Sequence, residues 1–157
     1  MSELSVRVVE LPPLRVASAH AYGPSPETSA WEKLIAWAKP KGLLEDRQAH
    51  RLFGFNNPDP SPGSPNYGYE FWIVVGPEIE PEGKIKIVEF SGGRYAVARC
   101  ETRGNMEKIG ETWRRLVAWR EKSPYSPAHH QWLEEHMGYT DKAETELMLD
   151  LYMPIAG

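Results

Sequence analysis

Two short stretches place an acid two residues before an aromatic ring on what reads as a strand: Glu70-Phe71-Trp72 and Asp150-Leu151-Tyr152. Strand side chains alternate between two faces, so the carboxylate and the ring of each stretch share one face. A carboxylate held among aromatic rings is costly unless paired, and the partner that stabilises it is a cation, which ring faces also attract. The chemistry this suggests is capture of a flat, lipophilic, positively charged small molecule. A plainer alternative for Glu70 is a salt-bridged or solvent-facing carboxylate, because Glu is rarely buried alone.

The elements that would position these residues follow from periodicity. Tyr67 to Val75 is rich in aromatic and β-branched residues, with Pro65-Asn66 before it and Gly76-Pro77 after, and predicts a strand. Tyr67, Tyr69, Phe71, Ile73 and Val75 take one face; Gly68, Glu70, Trp72 and Val74 take the other. In the last predicted strand, 146–155, Glu146, Met148, Asp150 and Tyr152 share a face, and Leu147, Leu149, Leu151, Met153 and Ile155 share the opposite one, which must pack on a helix. Further strands are expected at 6–10, 16–22, 51–55, 85–90 and 94–101, the first two as a hairpin or bent pair, and Ser91-Gly92-Gly93 as a hairpin turn. Helices are expected at 27–39, with Ser25 as candidate N-cap and Trp31, Leu34, Ile35 and Ala38 inward, and at 105–122, with Met106, Ile109, Trp113, Leu116 and Val117 inward. A shorter helix is expected at 127–137, ended by Gly138. The loop 56–66, rich in Pro, Gly, Asn and Ser, is long for a plain connection and reads as a rim, a lid or an idle surface loop.

The chain repeats itself at an offset of about 80 residues. Val6-Arg-Val-Val-Glu10 matches Ile85-Lys-Ile-Val-Glu89, Arg15-Val-Ala17 matches Arg94-Tyr-Ala96, Leu34-Ile-Ala-Trp37 matches Leu116-Val-Ala-Trp119, and Glu70-Phe-Trp72 matches Asp150-Leu-Tyr152. The expected fold is therefore α+β, one domain over 1–157 built from two pseudo-symmetric ββαβ-type halves of about 4–76 and 84–156. An antiparallel sheet would carry helices on one face and a central ligand cleft on the other. A pseudo-twofold axis would let Glu70, Trp72, Asp150 and Tyr152 converge on that cleft. Met148 shares their face, and Phe55 and Trp119, the latter out of phase with its helix's apolar stripe, complete the candidate lining.

Composition narrows the function classes. A net charge of −4 argues against a nucleic-acid partner, which normally meets a basic face. A single cysteine, Cys100, rules out an internal disulfide and reads as a small core residue. With no apolar run of membrane-spanning length and no signal-peptide pattern at the N-terminus, a cytoplasmic protein is expected. His129, His130 and His136 lie near Glu134 and Glu135, but neither an H-E-x-x-H pattern nor a Cys pair accompanies them, so neither a metal nor a cofactor is expected.

The chain resembles the GyrI-like domain, also found as the effector-binding domain of AraC-type and MerR-type multidrug regulators. The resemblance is carried by Val88-Glu-Phe-Ser-Gly-Gly-Arg-Tyr-Ala-Val-Ala-Arg99, Thr112-Trp-Arg-Arg-Leu-Val-Ala-Trp119, Gln131-Trp-Leu-Glu-Glu-His136 and Leu149-Asp-Leu-Tyr-Met-Pro-Ile155, and spans nearly the whole sequence. It implies two SHS2-like repeats and an aromatic groove that binds diverse, often cationic, compounds around an acid in the last strand. That position is Asp150 here, where Glu is usual, which leaves Glu70 as the competing anchor. The resemblance also implies two further functions. One is hydrolysis of cyclopropane-bearing alkylating compounds, in which a carboxylate beside a tyrosine can orient a water, with Glu70, Asp150 and Tyr152 as the catalytic candidates. The other is gyrase-inhibitor-like binding to a protein partner. Outside the two long helices nothing reads as a DNA-reading helix pair, so a stand-alone ligand-binding form is expected.

Overall fold

Alternating apolar and polar residues become antiparallel strands, and the two stripes of 3.6-residue period become helices. The computed structural model describes residues 4–137 and 148–157. In chain order these form β1 (Val6–Leu11), β2 (Leu14–Gly23), α1 (Pro26–Ala38), β3 (Leu52–Asn56), β4 (Tyr67–Val74), β5 (Lys86–Phe90), β6 (Gly93–Glu101), α2 (Glu107–Glu121), β7 (Ser126–Pro127), β8 (Leu133–His136) and β9 (Met148–Ala156). A single 3₁₀ turn, Lys39–Lys41, follows α1. The expected stop at Gly138 and the expected strand residues Glu146 and Leu147 lie outside the described residues. No described helix is long and apolar enough to cross a membrane.

The chain divides into two units, one of residues Met1–Pro13 and Ser91–Gly157, the other of Leu14–Phe90. In the second unit β2 pairs with β4 on one side and β5 on the other, and β3 pairs with the far edge of β4. In the first unit β6 lies between β1 and β9, and β8 pairs with the far edge of β9. Both units thus have the same four-strand antiparallel order and one long helix, which makes the fold α+β with an internal repeat.

Three local expectations give way here. β1 does not form a hairpin with β2, because it pairs with β6, while β5 pairs with β2. The connector Pro12-Pro13 explains this. Tight hairpins need positive φ at the turn, and proline holds φ near −65°. Likewise Ser91-Gly92-Gly93 is not a hairpin turn between β5 and β6. Gly92 adopts φ +80°, and its Cα sits against the carbonyls of Leu11 and Pro12, where a Cβ has no room. Each sequence repeat therefore lends its first strand to the other unit. The helix expected at 127–137 is also absent. Its place is taken by β7 and β8, because the segment has too few apolar residues for a helical stripe and pairs instead with the edge of β9.

Each helix covers one sheet face. α1 buries Ala30, Leu34, Trp37 and Ala38, and its Trp31 ring lies 5.5 Å from Phe71. The row Ala17, Ala19 and Ala21 pairs with Ile73, Phe71 and Tyr69 on that face, and small side chains let the helix approach closely. Ser25 stands at the N-cap position, but its side chain makes no capping bond. In the other unit Leu116, Ile109, Trp113 and Val117 of α2 pack on Ala96, Ala98 and Cys100 of β6 and Leu149, Leu151, Met153 and Ile155 of β9. Met106, expected inward, is exposed.

The start of α1 is tied to β4 through Tyr67, whose hydroxyl donates to both carboxylate oxygens of Glu27 at 2.8 Å. Burial, followed by the neighbouring Glu27 carboxylate, pushes the Tyr67 hydroxyl up to about 12. Because the folded value is raised, the associated stability is intact below pH 10 and lost as pH rises from there through about 12. Tyr67→Phe is expected to cost about 1 kcal/mol in urea unfolding at neutral pH and to flatten that alkaline loss.

Candidate functional site

In the Leu14–Phe90 unit, the face of the sheet away from α1 is built from alternate residues of four strands. Pairing aligns Phe55 with Glu70, Phe53 with Trp72, His20 with Glu70 and Ser18 with Trp72. Glu70 is half-buried. Its Oε2 accepts from Ser18 Oγ at 2.6 Å and Trp72 Nε1 at 2.7 Å, and its Oε1 accepts from Asn57 Nδ2 at 3.2 Å. All three donors are neutral. The Trp72 ring, 7% exposed, meets the Phe55 ring edge-on at 4.8 Å and the Phe90 ring at 5.3 Å. Phe55, Glu70 and Trp72, expected together from the sequence, are thus brought together in one unit. The indole of Trp72 also serves as a donor that holds the carboxylate.

In the other unit the acid-bearing face has a different electrostatic design. Asp150 is fully buried. It accepts from Arg7 Nη2 at 2.6 Å, from Arg99 Nε at 2.7 Å and from Arg99 Nη2 at 3.2 Å. Burial pushes its carboxyl up, but the hydrogen bonds and charges of Arg99 and Arg7 outweigh this and hold it below the usual carboxylate range. Two residues along, the Tyr152 hydroxyl donates to Glu135 Oε1 at 2.6 Å, and the Tyr152 ring stands edge-on to Tyr95 at 5.4 Å. Met148 begins the same strand on the same face, and its carbonyl accepts from Met137 N at 3.0 Å. Trp119 lies elsewhere. It packs with the helix-side core and stacks on Tyr125 at 6.1 Å, so the fold does not bring it to the face of Asp150 and Tyr152.

The internal repeat makes the two acids comparable. Arg99 is paired directly across from Asp150, as His20 is from Glu70. Arg7 on β1 corresponds at the same offset of about 80 residues to Lys86 on β5. Asp150 has two guanidinium partners, whereas the His20 ring donates to Asn57 O at 2.6 Å. No described basic side chain forms an ion pair with Glu70. Ser18, Asn57, Arg7, Arg99 and Glu135 were not singled out by sequence reasoning. For the arginines the repeat itself is the usable signal, since each sits at a conspicuous charged position on an alternating strand. Glu135 was hidden by reading its segment as a helix.

The family sequence model for the GyrI-like small molecule binding domain matches residues 4–156. No curated protein matches the chain in sequence. Among solved structures, the C-terminal domain of EcmrR is 16% identical with a TM-score of 0.69, and the alignment covers 98% of each chain. Against the EcmrR chain solved in complex with DNA, at 17% identity and TM-score 0.69, this chain covers 57% of that chain's length. A hydrolase from Listeria innocua is 11% identical with a TM-score of 0.64, covering 99% of this chain and 94% of that one. SAV2435 bound to tetraphenylphosphonium is 12% identical with a TM-score of 0.53, covering 98% and 95%. At these identities the likeness is one of fold. The family match over almost every residue is the stronger finding, and by it this chain belongs to the GyrI-like small molecule binding domain family.

Proposed function

We propose that this chain binds lipophilic, cationic small molecules, and that Glu70 supplies the negative charge at the site. The observation that carries this reading is the Glu70 carboxylate itself, held by three neutral donors beside the Trp72, Phe55 and Phe90 rings with no described cationic partner. Such a group is oriented before a ligand arrives, and an incoming cation gains both its charge and the aromatic surface. Asp150 already has Arg7 and Arg99 and is assigned a structural role. SAV2435, a neighbour in fold, was solved with a lipophilic cation.

The test is calorimetric titration of the purified protein with acridine orange, a flat cationic dye, with mass spectrometry of the dye afterwards. Saturable binding that Glu70→Gln weakens on the order of tenfold, with the dye intact, is the expected result. Unchanged affinity in Glu70→Gln would sink the assignment of that carboxylate.

Hydrolysis of a reactive xenobiotic is the second reading, and it is favoured by the buried Tyr152–Glu135 hydrogen bond. A carboxylate so placed can accept a proton from water while the phenol orients the attacked group. Incubation with a cyclopropane-bearing alkylating compound would then yield a ring-opened product that Glu135→Gln fails to form.

A further inference from the structure

The donors around Glu70 are unevenly distributed, and this bears on which cations can be bound. An ionised carboxylate offers about four lone-pair sites, two per oxygen. Oε2 is filled by two short bonds, from Ser18 Oγ at 2.6 Å and Trp72 Nε1 at 2.7 Å. Oε1 accepts a single longer bond, 3.2 Å from Asn57 Nδ2, and that contact lies on the exposed side. The imidazole across the strand from Glu70 is turned to Asn57 O instead. Lys86, paired with Ser18 on β5, is exposed, and the described bonds to the carboxylate come from Ser18, Trp72 and Asn57 instead. One oxygen therefore keeps an outward-facing acceptor position.

From this geometry we infer that the Glu70 subsite takes cations that carry an N–H, such as protonated amines, protonated heteroaromatic nitrogens and amidiniums, in preference to fully substituted onium ions. The inference rests on the cation-binding reading above and goes further, since charge and aromatic surface alone make no distinction between the two classes. An N–H donor adds a charge-assisted hydrogen bond to Oε1. A quaternary ion holds its charge behind alkyl or aryl groups and leaves that position empty.

The test uses two dyes of equal charge and ring system. Acridine orange carries N–H at its ring nitrogen at neutral pH, and 10-methyl acridine orange carries N–CH₃ there. Calorimetric titrations of the whole chain, wild type and Glu70→Gln, are compared. Acridine orange is expected to bind wild type on the order of tenfold more tightly than its methyl analogue, and Glu70→Gln is expected to abolish that preference. Equal affinities in wild type overturn the inference, and if Glu70→Gln still weakens both dyes, the cation-binding reading survives it. A preference that persists in Glu70→Gln also overturns it, because the methyl group is then excluded by shape. Binding of neither dye removes the underlying reading. Ser18→Ala is the companion variant should Glu70→Gln fail to fold. It keeps the carboxylate but removes a neutral donor, so the N–H preference must persist or widen, and its disappearance counts against the inference.

Discussion

Asp150→Ala is expected to lose about 3 kcal/mol of folding stability at neutral pH, measured by urea unfolding. Removing one partner of a buried ion pair costs about 3–5 kcal/mol when the remaining charge is stranded. Here the side chains left behind are 51% exposed in Arg7 and 43% exposed in Arg99, so both can turn to water, which sets the expectation at the lower end. The loss comes mainly from β1 and β6, which the carboxylate joins to β9 through these two arginines. The same group makes stability depend on acid. The folded carboxyl is held below its ordinary 3.8, so as pH falls the unfolded chain takes up a proton first. The stabilisation is complete above about 3.8 and is lost as pH drops through the depressed folded value. Asp150→Asn should lack this acid-side loss, and its curve should converge on wild type at low pH. An Asp150→Ala protein as stable as wild type at pH 7 would refute the structural role assigned to this carboxylate.

Gly68→Ala is expected to cost about 3 kcal/mol as well, and in addition to weaken cation binding. A Cβ at residue 68 would run into the carbonyl of Asn57 and come within 2.8 Å of Pro58 Cδ. The close approach is fixed by two backbone bonds, Asn57 N to Gly68 O at 3.0 Å and Gly68 N to Pro58 O at 2.9 Å. Because the obstruction is backbone, relief requires moving Asn57 itself, and overpacking of this kind costs about 1–3 kcal/mol or more. Moving Asn57 also withdraws the amide that donates to Glu70 Oε1 and the carbonyl that receives His20. The variant should therefore show a lower urea midpoint and a several-fold weaker affinity for acridine orange. A variant with full stability and affinity would mean that the start of the 57–66 loop moves without consequence for the site.

Much of this design was legible in the sequence. Alternation alone assigned Tyr69, Phe71 and Ile73 to one face of β4 and Glu70 and Trp72 to the other, because the two-residue period of a strand is a property of the covalent backbone. The repeat of about 80 residues announced two like halves, and the stripes of Leu34 and Leu116 announced their helices. The pairing of strands was not legible. Pro12-Pro13 shows that β1 must leave β2, but nothing in the local pattern says that it continues along β6 while β5 joins β2. The segment 127–137 was misread for a related reason. Leu133 and Glu135 occupy strand positions only because the edge of β9 supplies the hydrogen bonds. The charge states followed the same division. Glu70 and Asp150 look alike as acids two residues before an aromatic ring, yet Asp150 meets Arg7 across 143 positions and Arg99 across 51, while the donors that Glu70 meets among the described residues are neutral. Periodicity is set by neighbours along the chain and can be read there. Which strand edges meet, and so which acid is paired with arginines and which is held by neutral donors, is set by the free energy of the assembled sheet, and only the tertiary structure decided it.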